Sequence, residues 1–291
     1  MIDVNGPQAQ YDAEERCLET AKDGVKYEYT KNVIQEIIGD NIVEPTRSNT
    51  PLDFVIKDKN TGVPVGGIEH FHVSLIYEGT EGNQRKSTAK KHEEQAKELF
   101  NKHENSSEPQ ELSTAFNELL LLASNSINDR RKFDYKNYIE QFRHQTEKHF
   151  KKIRGYCETA QCGPDRVAFM IEIIIPNCAE WNTVNYKTQR FEALPHERFP
   201  ITQDIINIIE NGKTQGIKYV LLVIHDEFGS ETKIVYAFDV SKIETSCKAQ
   251  DITIYECFAP KPLLARTHVL SNVDGAGNIQ VDYHGIMGVP M

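Results

Sequence analysis

The spacing of hydrophobic positions changes character several times along the chain. Between Tyr11 and Gly39, the residues Val25, Tyr29, Val33, Ile34, Ile37 and Ile38 recur at three and four, which predicts a helix that Gly39 ends. Pro45 to Thr50 read as a loop. Two apolar runs follow, Leu52–Ile56 and Val65–Ile76, separated by Lys57-Asp58-Lys59-Asn60-Thr61-Gly62, whose Asp, Asn and Gly predict the turn of an antiparallel hairpin. From Lys86 to Ile153 the segments become long, charged and free of glycine, with breaks at Asn105–Pro109 and Asn125–Asp129. They predict three helices, near 86–104, 110–124 and 132–153.

After Gly155 the strand pattern returns. Val167–Ile175 is a run of β-branched and apolar residues interrupted only by Glu172 and closed by Pro176, as expected of a buried central strand. Thr202–Asn211 predicts a helix capped by Gly212, and Tyr219–Ile224 a second buried strand. Lys233–Val240 and Ile252–Phe258 are expected to continue the sheet. The tail, Asn272–Tyr283, carries a hairpin signature at Asp274-Gly275-Ala276-Gly277-Asn278. No repeat is visible. The pattern predicts one α/β domain over 1–291, with a mixed central sheet, flanking helices and a helical insertion at 84–156.

Composition adds a core and removes a membrane. Of 291 residues, 39% are hydrophobic and 9% aromatic, enough to bury a real interior. Met1–Pro7 lacks the basic start and apolar run of an export signal, and every apolar stretch stops short of the roughly 18 to 20 residues that cross a bilayer. Six scattered cysteines do not form the framework of a small secreted domain, so reduced thiols in a cytoplasmic protein are expected.

The net charge is −10, but it is unevenly spread. From Gln84 to Tyr156 there are 15 Lys and Arg against 11 Asp and Glu; Arg130 to Arg154 alone holds nine bases and three acids. Arg130, Arg131, Lys132, Lys148, Lys151 and Lys152 would meet a polyanion there, although the same residues also suit the wet face of an amphipathic helix.

Alternation of side chains along a strand puts Asp53 and Val55 on one face, and Gly67, Glu69 and Phe71 together on one face with Ile68, His70 and His72 opposite. If the two runs pair through the turn at 57–62, Asp53 and Glu69 become neighbours on adjacent strands. Two such carboxylates can hold a hard divalent cation, which binds oxygen and serves phosphodiester hydrolysis. An Asp and a Glu on paired strands also occur as plain solvent-facing residues.

Gly24-Val25-Lys26-Tyr27-Glu28, then Pro51-Leu52-Asp53, then Gly67-Ile68-Glu69-His70-Phe71, together with the order helix, hairpin, helix, strand, resemble the PD-(D/E)xK nuclease superfamily. The resemblance implies a restriction-endonuclease-like fold, Asp53 and Glu69 on Mg²⁺ or Mn²⁺, Glu28 assisting from the preceding helix, and metal-dependent cleavage of DNA. The sequence departs from the pattern at Phe71, where the family has lysine. Lys86, Lys90 or Lys91 would have to reach back, or His70 substitute through a strand bulge at Gly66-Gly67. The alternative is a nuclease-like module without catalysis that binds nucleic acid or a protein partner; a homodimer or partner chain could also complete the site. Tyr283–Pro290 is similar to a segment of some adenine-specific DNA methyltransferases, which points to a restriction or phage-defence setting.

Other candidates are weaker. His70 and His72 share a strand face and suit zinc-like metals, but lack a third spaced ligand, so half-buried polar residues are the plainer reading. His144, His149, Cys157 and Cys162 have the chemistry of a zinc site without its spacing, since residues five apart on a helix point about 140° apart. Glu172, alone in an apolar strand, needs an ion pair or a metal to offset its burial.

Overall fold

The structure, a computed structural model, describes residues 7–46, 50–75, 133–175, 178–226, 233–262, 266–273 and 279–286, with isolated helical positions at 95, 98, 99 and 118. The expected first helix is two: α1 (Pro7–Asp23) and α2 (Glu28–Ile38). Gly24 makes the break, because a Cβ there would lie 2.8 Å from the Thr20 carbonyl oxygen and 3.2 Å from Lys233 Cβ, so only glycine lets the chain pass. Gly39 ends α2 at a φ of 59°, as its position predicts.

The chain continues through β1 (Ile42–Pro45), β2 (Phe54–Lys57), β3 (Pro64–Ser74), α3 (Tyr135–Phe150), α4 (Ile153–Ala160), β4 (Val167–Ile175), β5 (Cys178–Asn185), β6 (Phe191–Pro195) and β7 (Ile201–Thr202). Then follow α5 (Gln203–Glu210), β8 (Tyr219–Asp226), β9 (Lys233–Asp239), α6 (Ile243–Ala249), β10 (Ile254–Pro262), and the hairpin of β11 (Arg266–Val273) and β12 (Ile279–Ile286).

The main sheet has the order β1-β2-β3-β4-β8-β9. β1, β2 and β3 form an antiparallel meander, β3, β4 and β8 are parallel, and β9 closes the far edge antiparallel. The turn after β2 is held by Asp58, whose carboxylate accepts from the Asn60 and Thr61 amides and the Thr61 hydroxyl. β10, expected in this sheet, instead pairs antiparallel with β5 and parallel with β7 in a second sheet of order β6-β5-β10-β7.

Alternation divides the interior of the main sheet into two layers. Phe54, Ile56, Ile68, Ala168, Met170, Leu221 and Val223 face α1 and α2, packing against Cys17, Leu18, Ala21 and Val33. Val55, Phe71, Val73, Phe169, Ile171 and Leu222 face the other way, against Phe142, Phe150, Ile153 and Tyr156 of α3 and α4, Ile205 and Ile209 of α5, and the inner side of the second sheet. The last predicted insertion helix is therefore a layer of the domain rather than an appendage. It breaks at Lys151-Lys152 into α3 and α4 and runs on to Ala160. The expected helices near 86–104 and 110–124 lie outside the described residues.

Candidate functional site

Phe54 pairs with Ile68 at the last rung of the β2–β3 ladder, so Asp53, the residue before β2, comes opposite Glu69. The pairing irregularity in this hairpin falls between Ile56 and Lys57, beyond Gly66 and Gly67, and side-chain parity from Gly66 onward is unbroken. Those glycines serve close approach instead of a bulge: a Cβ at Gly67 would meet Leu52 Cδ2 at 2.4 Å, and one at Gly66 the Arg166 carbonyl oxygen at 2.8 Å. Asp53 is oriented by its Oδ2, which accepts the His70 backbone N–H at 2.7 Å. The expected convergence of Asp53 and Glu69 on one face thus follows from register.

Glu69 is only 4% exposed, and α3 and α4 supply its partners. Tyr156 donates its hydroxyl to Glu69 Oε1 at 2.8 Å; His149 Nδ1 lies 2.7 Å from the same oxygen and 3.2 Å from the Tyr156 oxygen. The His149 ring stacks on Phe71 with centroids 4.3 Å apart and planes 11° from parallel. Phe71 therefore floors the imidazole. Glu69 Oε2 is buried with no hydrogen-bond donor among the described residues, and the two carboxyl groups are close enough to share a proton or a cation.

The electrostatics follow from that crowding. Burial, and then the charge of Glu69, push the Asp53 carboxyl up to about 7, with the His70 N–H opposing. Burial likewise pushes Glu69 up to about 7, against the Tyr156 hydroxyl and the charge of Lys152. The pair titrates as a unit and holds about one proton near neutrality. His149 is lowered to about 4 by burial and by Lys152 and Lys148, so despite its 2.7 Å approach to Glu69 it is a neutral ring and not the cation of an ion pair.

Other predicted residues fall elsewhere. His70 stays on the opposite face because parity is not reversed, and its side chain cannot join the pair. Glu28 opens α2 with its side chain 78% exposed and 3.9 Å from Lys31. Among the described residues its ion pair is with Lys31, and no hydrogen bond or ion pair joins it to Asp53 or Glu69. Lys148, Lys151 and Lys152 are exposed around the junction of α3 and α4, and Lys152 has its charge felt at both Glu69 and His149. Lys86, Lys90, Arg130, Arg131 and Lys132 lie outside the described residues. Tyr156 is not among the site residues expected from sequence, and His149 appears among them only in the four-residue zinc set, not as a partner of Glu69. Their signal is the stripe Phe142, Thr146, His149, Ile153, Tyr156 and Ala160, spaced alternately four and three, in which a histidine occupies a position on the buried side.

The reverse face of β3 carries a second polar cluster. Glu172, in the middle of β4, is flanked by His225 Nε2 at 2.7 Å and His70 Nε2 at 3.3 Å. Burial would raise Glu172, but the hydrogen bond to His225 and the adjacent His70 hold it well below the usual carboxylate range. His144 is exposed while His149 belongs to Glu69, so the four-residue set with Cys157 and Cys162 does not assemble. No protein-family model matches the chain, and no curated protein and no solved structure shows significant similarity to it. Among the described residues no helix is long and apolar enough to cross a membrane.

Proposed function

We propose that this chain is a metal-dependent nuclease with a restriction-endonuclease-like core, hydrolysing DNA phosphodiester bonds at Asp53 and Glu69. The observation that carries the reading is the meeting of half-buried Asp53 and buried Glu69 at the end of the β2–β3 ladder, with Glu69 Oε2 lacking a donor other than the paired carboxyl among the described residues. Such an arrangement is costly for protons alone and suits a hard divalent cation, which takes oxygen ligands. The order α2, antiparallel meander, α3 and α4, then parallel β4 agrees with the core that the sequence resembles. Mg²⁺ or Mn²⁺ would be held by the Asp53 and Glu69 carboxylates, and when bound it supplies Lewis acidity toward the phosphate.

The chain's own groups have separable tasks. The His70 backbone N–H and the Tyr156 hydroxyl orient the two carboxylates. Lys152 places positive charge near Glu69 from the α3–α4 junction, offering from a helix cap what the family provides two residues along the strand. With Lys148 and Lys151 it forms a basic edge that would hold the phosphate backbone without reading sequence. A restriction or phage-defence role fits this activity and belongs to the same proposal.

One observation favours a second reading. Phe71 and His149 stack directly over Glu69, closing it from solvent, as suits a module that binds DNA or a protein without cutting. Cleavage of supercoiled plasmid and of single strands with Mg²⁺ or Mn²⁺ separates the two. A nuclease loses about a hundredfold or more in Asp53→Ala and Glu69→Ala and roughly tenfold in Lys152→Ala. Folded wild type that cuts neither substrate with either metal selects the binding module.

A further inference from the structure

α1 packs on the reverse face of the main sheet, chiefly over β8 and β9, and its Cys17 reaches polar groups of β3 and β4. Cys17 of α1, His70 of β3 and Glu172 of β4 offer a thiol sulfur, an imidazole nitrogen and a carboxylate oxygen, all within 4.8 Å of one another. Cys17 is 2% exposed and Glu172 8%. His70 Nε2 is buried 3.3 Å from Glu172 Oε2, an ion-pair contact that falls short of hydrogen-bond geometry, and it has no hydrogen-bond partner among the described residues. An imidazole nitrogen aimed into a cluster of sulfur and oxygen, held there by a neighbouring carboxylate without a hydrogen bond of its own among the described residues, is the disposition of a ligand atom. The other Glu172 oxygen is taken by His225 Nε2 at 2.7 Å, which fixes the carboxylate in the way a second partner orients a metal ligand.

From this geometry we infer a zinc-class metal site on the reverse face of the main sheet, with Cys17 Sγ, His70 Nε2 and Glu172 as protein ligands and His225 as the residue positioning Glu172. Sulfur and nitrogen in the ligand set favour Zn²⁺ over Mg²⁺ or Ca²⁺, which prefer oxygen throughout. Ligands in a tetrahedron around zinc stand roughly 3.4 to 3.7 Å apart, so from a 4.8 Å envelope the three atoms would have to close by up to about 1 Å or slightly more, within reach of side-chain rotation. A thiolate and a carboxylate would neutralise the doubly charged ion, and binding it would displace the proton that, against the effect of burial, Glu172 and Glu14 favour on His70. Three protein ligands leave a fourth position for water. The site would tie α1 to β3 and β4, with its side chains on the side of the sheet away from Asp53 and Glu69. It uses none of the proposed cleavage ligands, although His70 meets Asp53 through its backbone N–H.

The test uses the full chain under reducing conditions. Wild type purified without chelator is expected to retain about one zinc per chain by elemental analysis. Titration of the demetallated protein with Co²⁺ is expected to give the near-ultraviolet charge-transfer absorption of a cobalt–thiolate bond. Cys17→Ser should abolish that absorption, His70→Gln should weaken Co²⁺ binding at least tenfold, and Cys157→Ser with Cys162→Ser should leave both unchanged. Absence of the thiolate band in folded wild type overturns the site, and so does a band that survives in Cys17→Ser. Should Cys17→Ser fail to fold, the wild-type titration and His70→Gln still decide, since a band insensitive to His70 excludes this ligand set.

Discussion

Two carboxyl groups set side by side in a mostly buried place repel one another and lose hydration, and the folded chain takes up protons to relieve both effects. Asp53 and Glu69 are each raised to about 7, above their ordinary values of 3.8 and 4.5. The direction of the linkage follows. Because the folded state binds protons more tightly than the unfolded one, the pair does not destabilise below about pH 4, and its destabilising effect grows as the pH rises toward 7. Glu69→Gln removes one charge and ends the repulsion. In EDTA, thermal melts should find the variant more stable than wild type at pH 8, by roughly 5 °C, with the gap narrowing at pH 5. A variant equally destabilised at both pH values would mean that the Tyr156 and His149 contacts, not the repulsion, dominate at Glu69. Glu172 runs the opposite way. Held below its ordinary value, it adds stability above about pH 4.5 that is lost on acidification.

At the scale of elements, the hairpin that joins β2 to β3 fixes the site's geometry, and Gly67 is its tightest point. Gly67→Ala would push a Cβ into Leu52 and within 3.1 Å of the Phe54 carbonyl oxygen, parting β2 from β3 where Asp53 must face Glu69. It is expected to cost about 2 kcal/mol in urea denaturation and to lower cleavage further than the stability loss explains. The strand pair was legible because period-two alternation and the Asp58-to-Gly62 turn are local signals. β4 was legible because an unbroken β-branched run suits a strand buried on both faces. Three features were not. The break at Gly24 depends on the approach of Lys233, more than two hundred residues away. β5 and β6 mix Glu, Asn and Thr with single apolar residues, and gain their strand form from pairing with each other and β10. His149 and Tyr156 reach Glu69 across some eighty residues of chain, a distance that no hairpin rule spans.

Across the whole molecule, the second sheet is joined to the main one through aromatic packing, and the only tryptophan reports on it. Trp181 of β5 is fully buried, edge-on to Phe199 and Phe258 with centroids 5.6 Å away in each case. Phe258 of β10 also meets Phe133, Tyr135 and Tyr138 at the start of α3. The helices that cover Asp53 and Glu69 on one side thus share a core with the second sheet on the other, and the two sheets cannot come apart without exposing it. Trp181 fluorescence and far-ultraviolet circular dichroism should consequently report one transition in urea, with coincident midpoints. Phe258→Ala should lower stability by about 3 to 5 kcal/mol while keeping the transitions together. If Trp181 instead becomes exposed at a lower urea concentration than the helices unfold, the second sheet is a separate cooperative unit. The layer holding His149 and Tyr156 over Glu69 would then owe its position to the main sheet alone.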